Sequence, residues 1–387
     1  MRILQVHTSY REEGGEDTVA RAEAEVLRRA GHELITYTAH NPQAAVPAAA
    51  SLVVSAWNPV AARNVRAVAE RVRPDVAHVH NTWFALSPSV IAALDGAGVP
   101  VVMTLHNYRL LCVNASLFRD GRPCEDCVGT HPWHGVRHRC YRGSVGGSAA
   151  VACAISVNRA LGTWRRHVRL FLALNEFARD RFIRGGLPPE RVRVKPNFVA
   201  DPGPRAVPPS RSRSVLYVGR LESKKGVDVL LEAWRRRQPA GLELVVIGDG
   251  PLRDVLARRA PLGVRFEGWL APDAVRRWLL QARALVFPTL LYEGQPMSIL
   301  ESCAAGLPVL ASRLGGNAEL LRPAGPEWLV GSGDPDAWAR ALGVLDDSAR
   351  VDQVGGVLRQ LYERRFNEHE GRRLLEAAYL AARAAEI

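Results

Sequence analysis

Several groups of residues in the sequence have the types and the spacing that chemistry requires. Arg220, Lys224 and Lys225 follow a short apolar run and come directly before Gly226. A guanidinium can bind two phosphate oxygens as a fork and an ammonium acts as a point charge, so this loop predicts a cationic clamp for a diphosphate. The chain contains only one other lysine, Lys195. The concentration of lysines in this loop favours a functional role over a solvated surface.

Two glutamates form a second group. Glu293 precedes a predicted helix whose first turn contains Pro296, and Glu301 lies about two turns along that helix. At a rise of about 1.5 Å per residue the two carboxylates are roughly 12 Å apart. A glycosidase that forms a covalent intermediate needs a pair about 5 to 5.5 Å apart. We therefore expect these glutamates to hold two ends of one extended ligand.

A glycine pair, Gly14-Gly15, separates the first predicted strand from a helix that is predicted to begin near Asp17. Glycine lets the backbone approach a ligand closely, and the N–H groups at a helix N-terminus suit a phosphate. The G-x-G-x-x-G pattern of a dinucleotide-binding dehydrogenase is absent here.

Four cysteines with the spacing C-x11-C-x2-C-x12-C occupy one segment, residues 107–145. They are Cys112, Cys124, Cys127 and Cys140. A C-x2-C pair with two flanking cysteines predicts a tetrahedral zinc–sulfur site, and a structural zinc ion would order this insertion. Reduced thiols and disulfides are the alternatives, because the outer spacings are not those of a standard zinc finger. We expect Cys153 and Cys303 to pack as small apolar residues.

A repeated α/β pattern must position these residues. Apolar runs alternate with segments of helical period from residue 1 to about 197 and again from 214 onward, which indicates two parallel sheets. The predicted strands are Arg2–His7, Leu34–Thr38, Asp75–His80, Val99–His106, Leu170–Leu174, Ser214–Gly219, Leu242–Gly248, Val264–Glu267, Ala284–Pro288 and Leu307–Ser312. We expect two doubly wound, Rossmann-like domains facing across a cleft that holds the active site, because open α/β sheets bind ligands beyond the carboxyl ends of their strands.

The domain boundaries follow from composition. Residues 1–200 are predicted to form the first domain, and residues 214–365 the second. Four prolines and a glycine fall within residues 201–211, so 201–213 reads as a linker. The tail, residues 366–387, is helical in pattern and either caps the second domain or crosses back to the first.

Composition and charge limit the class of protein. Of the 387 residues, 47% are hydrophobic and 23% charged, which is typical of a globular chain. No run approaches the roughly 20 apolar residues of a membrane span, and no signal peptide is evident, so a cytoplasmic location is expected. The net charge is +12, and residues 127–175 contain arginines but no Asp or Glu. This basic run suits an anionic partner such as a lipid headgroup at a membrane surface.

Six motifs are spread along nearly the whole chain. They are Gly14-Gly15, Val218-Gly-Arg-Leu-Glu-Ser-Lys-Lys-Gly226, Val246-Ile-Gly-Asp-Gly-Pro251, Glu293 with Glu301, Gly306-Leu-Pro-Val-Leu-Ala-Ser312 and Gly315-Gly-Asn-Ala-Glu319. In combination they resemble the family-4 retaining glycosyltransferases of GT-B fold. The resemblance implies an enzyme that moves a sugar from a nucleotide-diphosphate sugar, held by the second domain, to an acceptor hydroxyl on the side of the first domain.

The resemblance also implies roles for individual residues. The positions that match donor-binding residues are Gly14, Gly15, Gly219, Arg220, Lys225, Glu293, Gly294, Gln295, Pro296, Met297 and Glu301. Those that match catalytic residues are His106, Glu293, Arg220 and Lys225. Glu301 corresponds to the carboxylate that accepts the ribose hydroxyls, and both Glu293 and His106 to residues near the transferred sugar. Fixed cations would stabilise the leaving diphosphate in place of a metal, so no cofactor is expected for catalysis.

Other interpretations stay open. Many family members have Gly-Phe-Gly after the first glutamate, whereas this chain has Gly294-Gln-Pro296, so the donor is not readable. The acceptor is a glycan, a lipid-linked sugar or a small natural product. The same fold could instead serve a sugar-nucleotide epimerase or a phosphorylase-like enzyme. A non-catalytic protein that binds anionic ligands or nucleic acid would explain the charge, but no nucleic-acid motif accompanies it and we expect no such partner.

Overall fold

The computed structural model describes residues 1–9, 14–41 and 55–384. The chain divides into two compact units. The first contains residues 1–119, 124–197 and 371–387, and the second contains residues 120–123 and 198–370.

The first unit is built on a six-stranded parallel sheet. Its strands are β1 (Arg2–Ser9), β2 (Glu33–His40), β3 (Val76–Asn81), β4 (Val101–Leu105), β7 (Leu170–Ala173) and β8 (Val192–Val194), in the order β2-β1-β3-β4-β7-β8. β5 (Phe118–Arg119) and β6 (Arg122–Pro123) form a separate two-stranded sheet. Ile3 pairs with Leu34 on one side and Val76 on the other. Strand order therefore reverses at β1 and β3, which makes the carboxyl ends of these strands the expected ligand position in this unit.

Helices connect these strands. They are α1 (Gly15–Arg29), α2 (Pro59–Val72), α3 (Ser89–Asp95), α4 (His134–Arg137), α5 (Val145–Ala160), α6 (Thr163–His167) and α7 (Glu176–Arg184). Asparagine side chains begin two of them: Asn58 accepts a hydrogen bond from Ala61 N–H, and Asn175 accepts one from Ala178 N–H. The core face of α1 is buried through Val19, Ala24 and Leu27.

The second unit is also a six-stranded parallel sheet. Its strands are β9 (Ser214–Val218), β10 (Glu243–Ile247), β11 (Val264–Gly268), β12 (Ala284–Phe287), β13 (Val309–Ser312) and β14 (Leu329–Val330), in the order β11-β10-β9-β12-β13-β14. The order reverses between β9 and β12, where Leu216 pairs with Leu285. The loops that leave β9 and β12 lie at this reversal, and they carry Arg220, Lys225 and Glu293.

The helices of the second unit complete a doubly wound arrangement. They are α8 (Val227–Arg236), α9 (Arg253–Arg258), α10 (Pro272–Gln281), α11 (Met297–Ala304), α12 (Gly315–Leu320), α13 (Pro335–Ala341) and α14 (Ser348–Arg365). One continuous core includes Trp234, Trp328 and Trp338, all fully buried. The two parallel α/β sheets predicted from the sequence are confirmed.

Glycines let the loops at the carboxyl edge of the second sheet touch through their backbones. Gly226 has φ +69°, and a Cβ at this position would lie 2.1 Å from the carbonyl oxygen of Pro288. Gly248 has φ +138°, and a Cβ there would lie 1.9 Å from the carbonyl oxygen of Gly219. Hydrogen bonds join the same loops, from Leu290 N–H to Lys224 O at 2.9 Å and from Leu221 N–H to Asp249 O at 2.9 Å. These contacts fix the loop after β9 against the loops after β10 and β12.

The segments predicted as linker and tail have defined surroundings. Residues 201–213 group with the second unit, where Ser210 donates from its backbone N–H and its hydroxyl to Asp352, at 2.8 and 2.6 Å. The last helix, α15 (Glu368–Ala384), groups from residue 371 with the first unit, where the Tyr379 hydroxyl is 2.8 Å from His78 Nδ1. Across the described parts of the chain, no helix is both long enough and apolar enough to cross a membrane.

Candidate active site

In the second unit, the predicted clamp and the first glutamate lie together. Lys225 ends a 3-10 turn, Ser223–Lys225, and its Nζ donates to Glu293 Oε1 at 2.8 Å. Thr289 donates its hydroxyl hydrogen to the same oxygen at 2.9 Å. Both of these hydrogen bonds fall on Oε1, so Oε2 of Glu293 is the oxygen that can accept from a ligand. The structure thus brings together two residues that are 68 positions apart in the sequence.

The other cations of the clamp surround Glu222. Arg220 Nε lies 3.0 Å from Glu222 Oε1, and Lys224 Nζ lies 2.7 Å from Oε2. Burial alone would raise the pKa of Glu222, but the hydrogen bond from Lys224 and the nearby positive charges lower it below its ordinary value. Arg220 and Lys224 are both substantially exposed, whereas Lys225 is mostly buried. Lys225 is therefore the cation whose position is fixed in advance.

The second glutamate lies on α11 beside an apolar face. Ile299, Leu300 and Cys303 of this helix are fully buried, and Glu301 is half-buried on another face. Burial raises the pKa of Glu301, and the charge of Arg276 opposes the rise. Within the described parts of the chain, no side chain or backbone group donates a hydrogen bond to this carboxylate. Burying a carboxylate without a hydrogen-bond donor costs solvation free energy, and such a group is typical of a ligand-binding position.

The predicted donor-binding residues between the glutamates form the entry to α11. Gly294, Gln295, Pro296 and Met297 are all half-buried, and Pro296 precedes the first helical residue. The first residues of a helix have backbone N–H groups without a partner in the helix, so Met297 and the residue after it supply such groups, whereas Pro296 has none. Gly219 follows β9, and its N–H donates to Ile247 O at 3.0 Å.

In the first unit, His106 directly follows β4 and belongs to a chain of hydrogen bonds. Gln5 Nε2 donates to Ala20 O at 2.8 Å and lies 3.2 Å from His80 Nε2. Because an amide nitrogen only donates, His80 Nε2 is an acceptor, and the proton of neutral His80 lies on Nδ1. That N–H donates to His106 Nε2 at 3.0 Å. The proton of neutral His106 is therefore on Nδ1, ready to be donated to a ligand.

Burial keeps these histidines neutral. It lowers the pKa of His106 well below the ordinary value, with a further lowering from the charge of Lys195 and from neighbouring histidines. Burial likewise lowers the pKa of His80, and it lowers that of His78 to about 4 against the attraction of Glu23. His106 is accordingly a hydrogen-bond donor of fixed tautomer near neutral pH, and not a cation.

A buried ion pair lies behind the histidines. Lys195 Nζ contacts Glu23 Oε1, and both side chains are almost completely buried. Glu23 Oε2 is 3.6 Å from both His78 Nδ1 and His80 Nε2. These three ligand atoms of Glu23, His78 and His80 lie close enough together to bind a metal ion. Lys195 already balances the carboxylate charge, and its own charge lowers the pKa of His78, His80 and His106, so we assign the ion pair to keeping the histidines neutral.

The glycine pair begins α1. Gly14 N–H donates to Asp17 Oδ2 at 2.9 Å, and Asp17 Oδ1 lies 2.8 Å from His7 Nε2. A Cβ on Gly15 would meet no atom within 4 Å, so the space beside it is open. Residues 10–13, which directly precede Gly14, lie outside the described residues.

The four cysteines of the insertion line one small cavity in the first unit. Cys112 and Cys127 are buried, and Cys124 and Cys140 are half-buried. Of the two cysteines expected to pack as apolar residues, Cys303 is fully buried, as predicted. The prediction for Cys153 is wrong, because this residue faces outward on α5 and is exposed.

Sequence reasoning missed three residues of this site, His80, Glu23 and Lys195. Alternating histidines at the end of the strand that contains His78 and His80 were a signal, because a buried parallel strand is normally apolar throughout. Lys195 was a second signal, because it is the one lysine outside the clamp and nearly all other basic residues of the chain are arginines.

Comparison with known proteins identifies the family. The model described as Glycosyltransferase Family 4 matches residues 13–201, and the model described as Glycosyl transferases group 1 matches residues 212–347. The amylovoran biosynthesis glycosyltransferase AmsK of Erwinia amylovora is 33% identical over 169 residues, covering 40% of this chain and 41% of that protein. A glycogen synthase of Mycobacterium tuberculosis is 29% identical over 324 residues, covering 81% of this chain and 70% of that protein.

A solved structure shares the fold. The crystal structure of Anabaena Alr3699/HepE in complex with UDP and glucose matches with a TM-score of 0.70 at 16% identity, covering 98% of this chain and 100% of that chain. At this identity the likeness shows the fold, which is GT-B. The two family models account for both units, and the chain belongs to the family-4 glycosyltransferases.

Proposed function

We propose that this protein transfers a sugar from a nucleotide-diphosphate sugar to an acceptor hydroxyl, with retention of configuration and without a catalytic metal. The observation that carries the proposal is the contact between Lys225 and Glu293 where strand order reverses in the second sheet. A fixed cation and a carboxylate with one available oxygen can bind a diphosphate and a sugar hydroxyl side by side. The likeness to a protein solved with UDP and glucose supports a nucleotide-sugar donor.

The second unit binds the donor in this proposal. Lys225 and Arg220 neutralise the diphosphate, Glu293 Oε2 accepts from a sugar hydroxyl, and Glu301 accepts from the ribose hydroxyls. The N–H groups at the start of α11 complete the donor contacts, and Gly219, which has no side chain, lets the donor approach the loop after β9 closely. An ionised Glu301, which has no donor among the described residues, loses solvation in the free enzyme and regains hydrogen bonds when the nucleotide binds.

The reaction breaks the bond between the sugar C1 and a diphosphate oxygen and forms a bond from C1 to the acceptor oxygen on the same face. The acceptor proton moves to the leaving diphosphate oxygen. The negative charge that develops on the diphosphate is stabilised by Lys225 and Arg220, which supply positive charge at fixed positions. No enzymic nucleophile and no metal is required in this scheme.

The first unit contributes His106 and, at Gly14-Gly15, a loop suited to phosphate. His106 donates its Nδ1 proton to a hydroxyl of the transferred sugar. Because the pKa of His106 is lowered, this N–H is retained in the neutral form over the physiological pH range. The imidazole orients the sugar and does not carry a proton between reactants.

The acceptor is an anionic or lipid-linked glycan in this proposal. Arg137, Arg139 and Arg142 are exposed on the first unit, and the apolar side chains of Trp133 and Val145, which are close to them in sequence, are exposed too. Cationic and apolar groups together suit the boundary between lipid headgroups and hydrocarbon. We place the enzyme in the cytoplasm with peripheral contact to an anionic membrane, and this location stays a prediction.

Incubation with a panel of UDP-, GDP-, ADP- and dTDP-sugars and candidate acceptors tests the activity. We expect release of one nucleotide diphosphate by the wild type, with little release by Glu293→Gln and normal release by Glu190→Gln, whose glutamate is exposed on the first unit. The rate should not depend on added Mg²⁺ or Mn²⁺, and NMR of the product should show the anomeric configuration of the donor. An inverted product or full activity of Glu293→Gln would contradict the proposal.

A further inference from the structure

The insertion at residues 107–145 contains a cysteine cluster that the proposed reaction does not use. Cys112, Cys124, Cys127 and Cys140 come from separate turns, yet all four line one cavity. His134 and Arg119 complete much of its wall. The fold therefore brings the four cysteines to one cavity, although the first and the last are 28 positions apart in the sequence.

Backbone hydrogen bonds hold the turns that carry these cysteines. Cys112 N–H donates to Tyr108 O at 2.8 Å, Cys124 N–H to Leu117 O at 2.7 Å, and Cys140 N–H to Gly135 O at 2.9 Å. The backbone, and not contacts among the cysteine side chains, therefore sets the positions of these turns.

Positive φ angles are concentrated in the backbone of the insertion. Seven non-glycine residues of the described chain have positive φ, and five of them lie in this insertion. They are Ala115, Leu117, Asp120, Arg139 and Arg142. Asp120 lies with Gly121 in the two-residue turn between β5 and β6, where positive φ is usual. The other four conformations persist only where the surrounding structure enforces them. The insertion has little regular structure of its own, namely the two-residue strands β5 and β6 and the four-residue helix α4. A cross-link at the cysteines would supply this constraint.

We propose that Cys112, Cys124, Cys127 and Cys140 bind one structural Zn²⁺ as thiolates. Tetrahedral coordination by four sulfurs at about 2.3 Å is the usual form of such sites. Among the described residues, only Glu23, His78 and His80 place three potential ligand atoms within 4.8 Å of one another, so the cysteine side chains must rotate inward to bind. Cys112 would then release the contact of its Sγ with Asn114 Oδ1, now 2.9 Å.

Charge and position are consistent with a closed structural site. Four thiolates around Zn²⁺ carry a net charge of −2. Arg119 lies in the cavity wall, where it donates a hydrogen bond to Asp126 Oδ2 at 2.8 Å. Arg159 is close by and donates to the carbonyl oxygens of Thr130 and Leu110, at 2.8 and 3.0 Å. With all four positions taken by sulfur, the ion has no open position for substrate and acts on folding alone.

Metal analysis of the purified full-length protein tests the proposal. We expect about one zinc per chain by mass spectrometric metal analysis after growth with zinc and removal of the purification tag. Titration of the thiols with an organomercurial in the presence of a zinc-binding dye should release this zinc in step with modification of the buried cysteines. Zinc well below one-tenth of the chain concentration, or disulfides in place of thiols, would overturn the proposal.

Substitutions give an independent comparison. Cys124→Ser and Cys127→Ser should each lower zinc content at least tenfold, whereas Cys153→Ser and Cys303→Ser should leave it unchanged, since neither lies at the cavity. His134→Asn changes the cavity wall without removing a sulfur and should retain zinc. If a ligand variant fails to fold, the wild-type zinc content and its release still decide the question. Retention of zinc by both Cys124→Ser and Cys127→Ser would contradict the assignment.

Discussion

The buried ion pair of the first unit allows a quantitative prediction. Lys195 and Glu23 are 1% and 0% exposed, so water cannot replace either partner. Removing one partner of a buried pair typically costs about 3 to 5 kcal/mol, because the remaining charge is left without compensation. We expect Lys195→Met to destabilise the first unit by about this amount. Glu23 is then left with only neutral histidines, since the pKa values of His78 and His80 are lowered.

Replacing both partners should cost far less. In Glu23→Leu/Lys195→Met no buried charge remains, and apolar residues of similar volume in place of a buried pair are often neutral or stabilising. The double variant should therefore recover most of the loss caused by Lys195→Met. This difference separates the electrostatic explanation from a simple loss of packing.

Hydrogen exchange measured by mass spectrometry is the appropriate assay, because a chain of two units need not unfold in one step. For Lys195→Met we expect protected amides of β1 and β3 to exchange roughly 100 to 4,000 times faster, the equivalent of 3 to 5 kcal/mol. Peptides from β9 and β10 serve as the internal reference and should not change. Unchanged protection in β1 and β3, or equal loss in the single and double variants, would refute the reasoning.

Three further outcomes are expected. Glu301→Gln should leave the free protein at least as stable, because the raised pKa of Glu301 means that its ionised form costs stability above the pKa of the unfolded chain. The same substitution should abolish the stabilisation that the nucleotide gives in thermal denaturation, which is about 2.7 kcal/mol at 100 times the dissociation constant. A retained shift would contradict the ribose assignment. His80→Phe should lower kcat by at least tenfold with little change in zinc content or melting temperature. His80→Asn should recover part of the rate, because its amide N–H can still donate to His106. Identical rates in both variants would exclude the tautomer argument. Acid should destabilise the first unit selectively, because the pKa of His78 is about 4 in the folded protein and near 6.5 in the unfolded chain. The first unit should therefore lose up to about 1.4 kcal/mol of stability per pH unit as the pH falls from 6.5 toward 4. Hydrogen exchange corrected for its intrinsic pH dependence measures this loss, and an equal loss in both units would contradict the prediction.

Local sequence signals predicted most of the sheet but not its shortest strands. The apolar runs of Ser214–Val218 and Ala284–Phe287 are visible because both faces of a central parallel strand are buried. β8 and β14 contain three and two residues, which is too short for a periodic pattern. Their positions depend on pairing with β7 and β13 and not on their own composition.

The sequence likewise predicted some residues of the candidate site and missed others. Arg220, Lys225 and the two glutamates are recognisable because each lies in a motif with a fixed relation to a strand end or helix. The support for His106 is not recognisable in this way, because Gln5, His80 and Lys195 meet only through tertiary packing. No local pattern could show which tautomer His106 adopts or that a lysine lies behind it.

The most direct test of the account is calorimetric titration of UDP, GDP, ADP and dTDP into wild type, Lys225→Met and Lys224→Met. Lys224 is the matched control, since it is adjacent in sequence but pairs with Glu222 and is more exposed. A charged hydrogen bond contributes about 1.5 to 3 kcal/mol. We therefore predict that one nucleotide binds wild type and Lys224→Met alike and binds Lys225→Met roughly 10- to 150-fold more weakly. Equal binding to Lys225→Met, or no binding of any of the four nucleotides to wild type, would contradict a donor site built on Lys225 and Glu293.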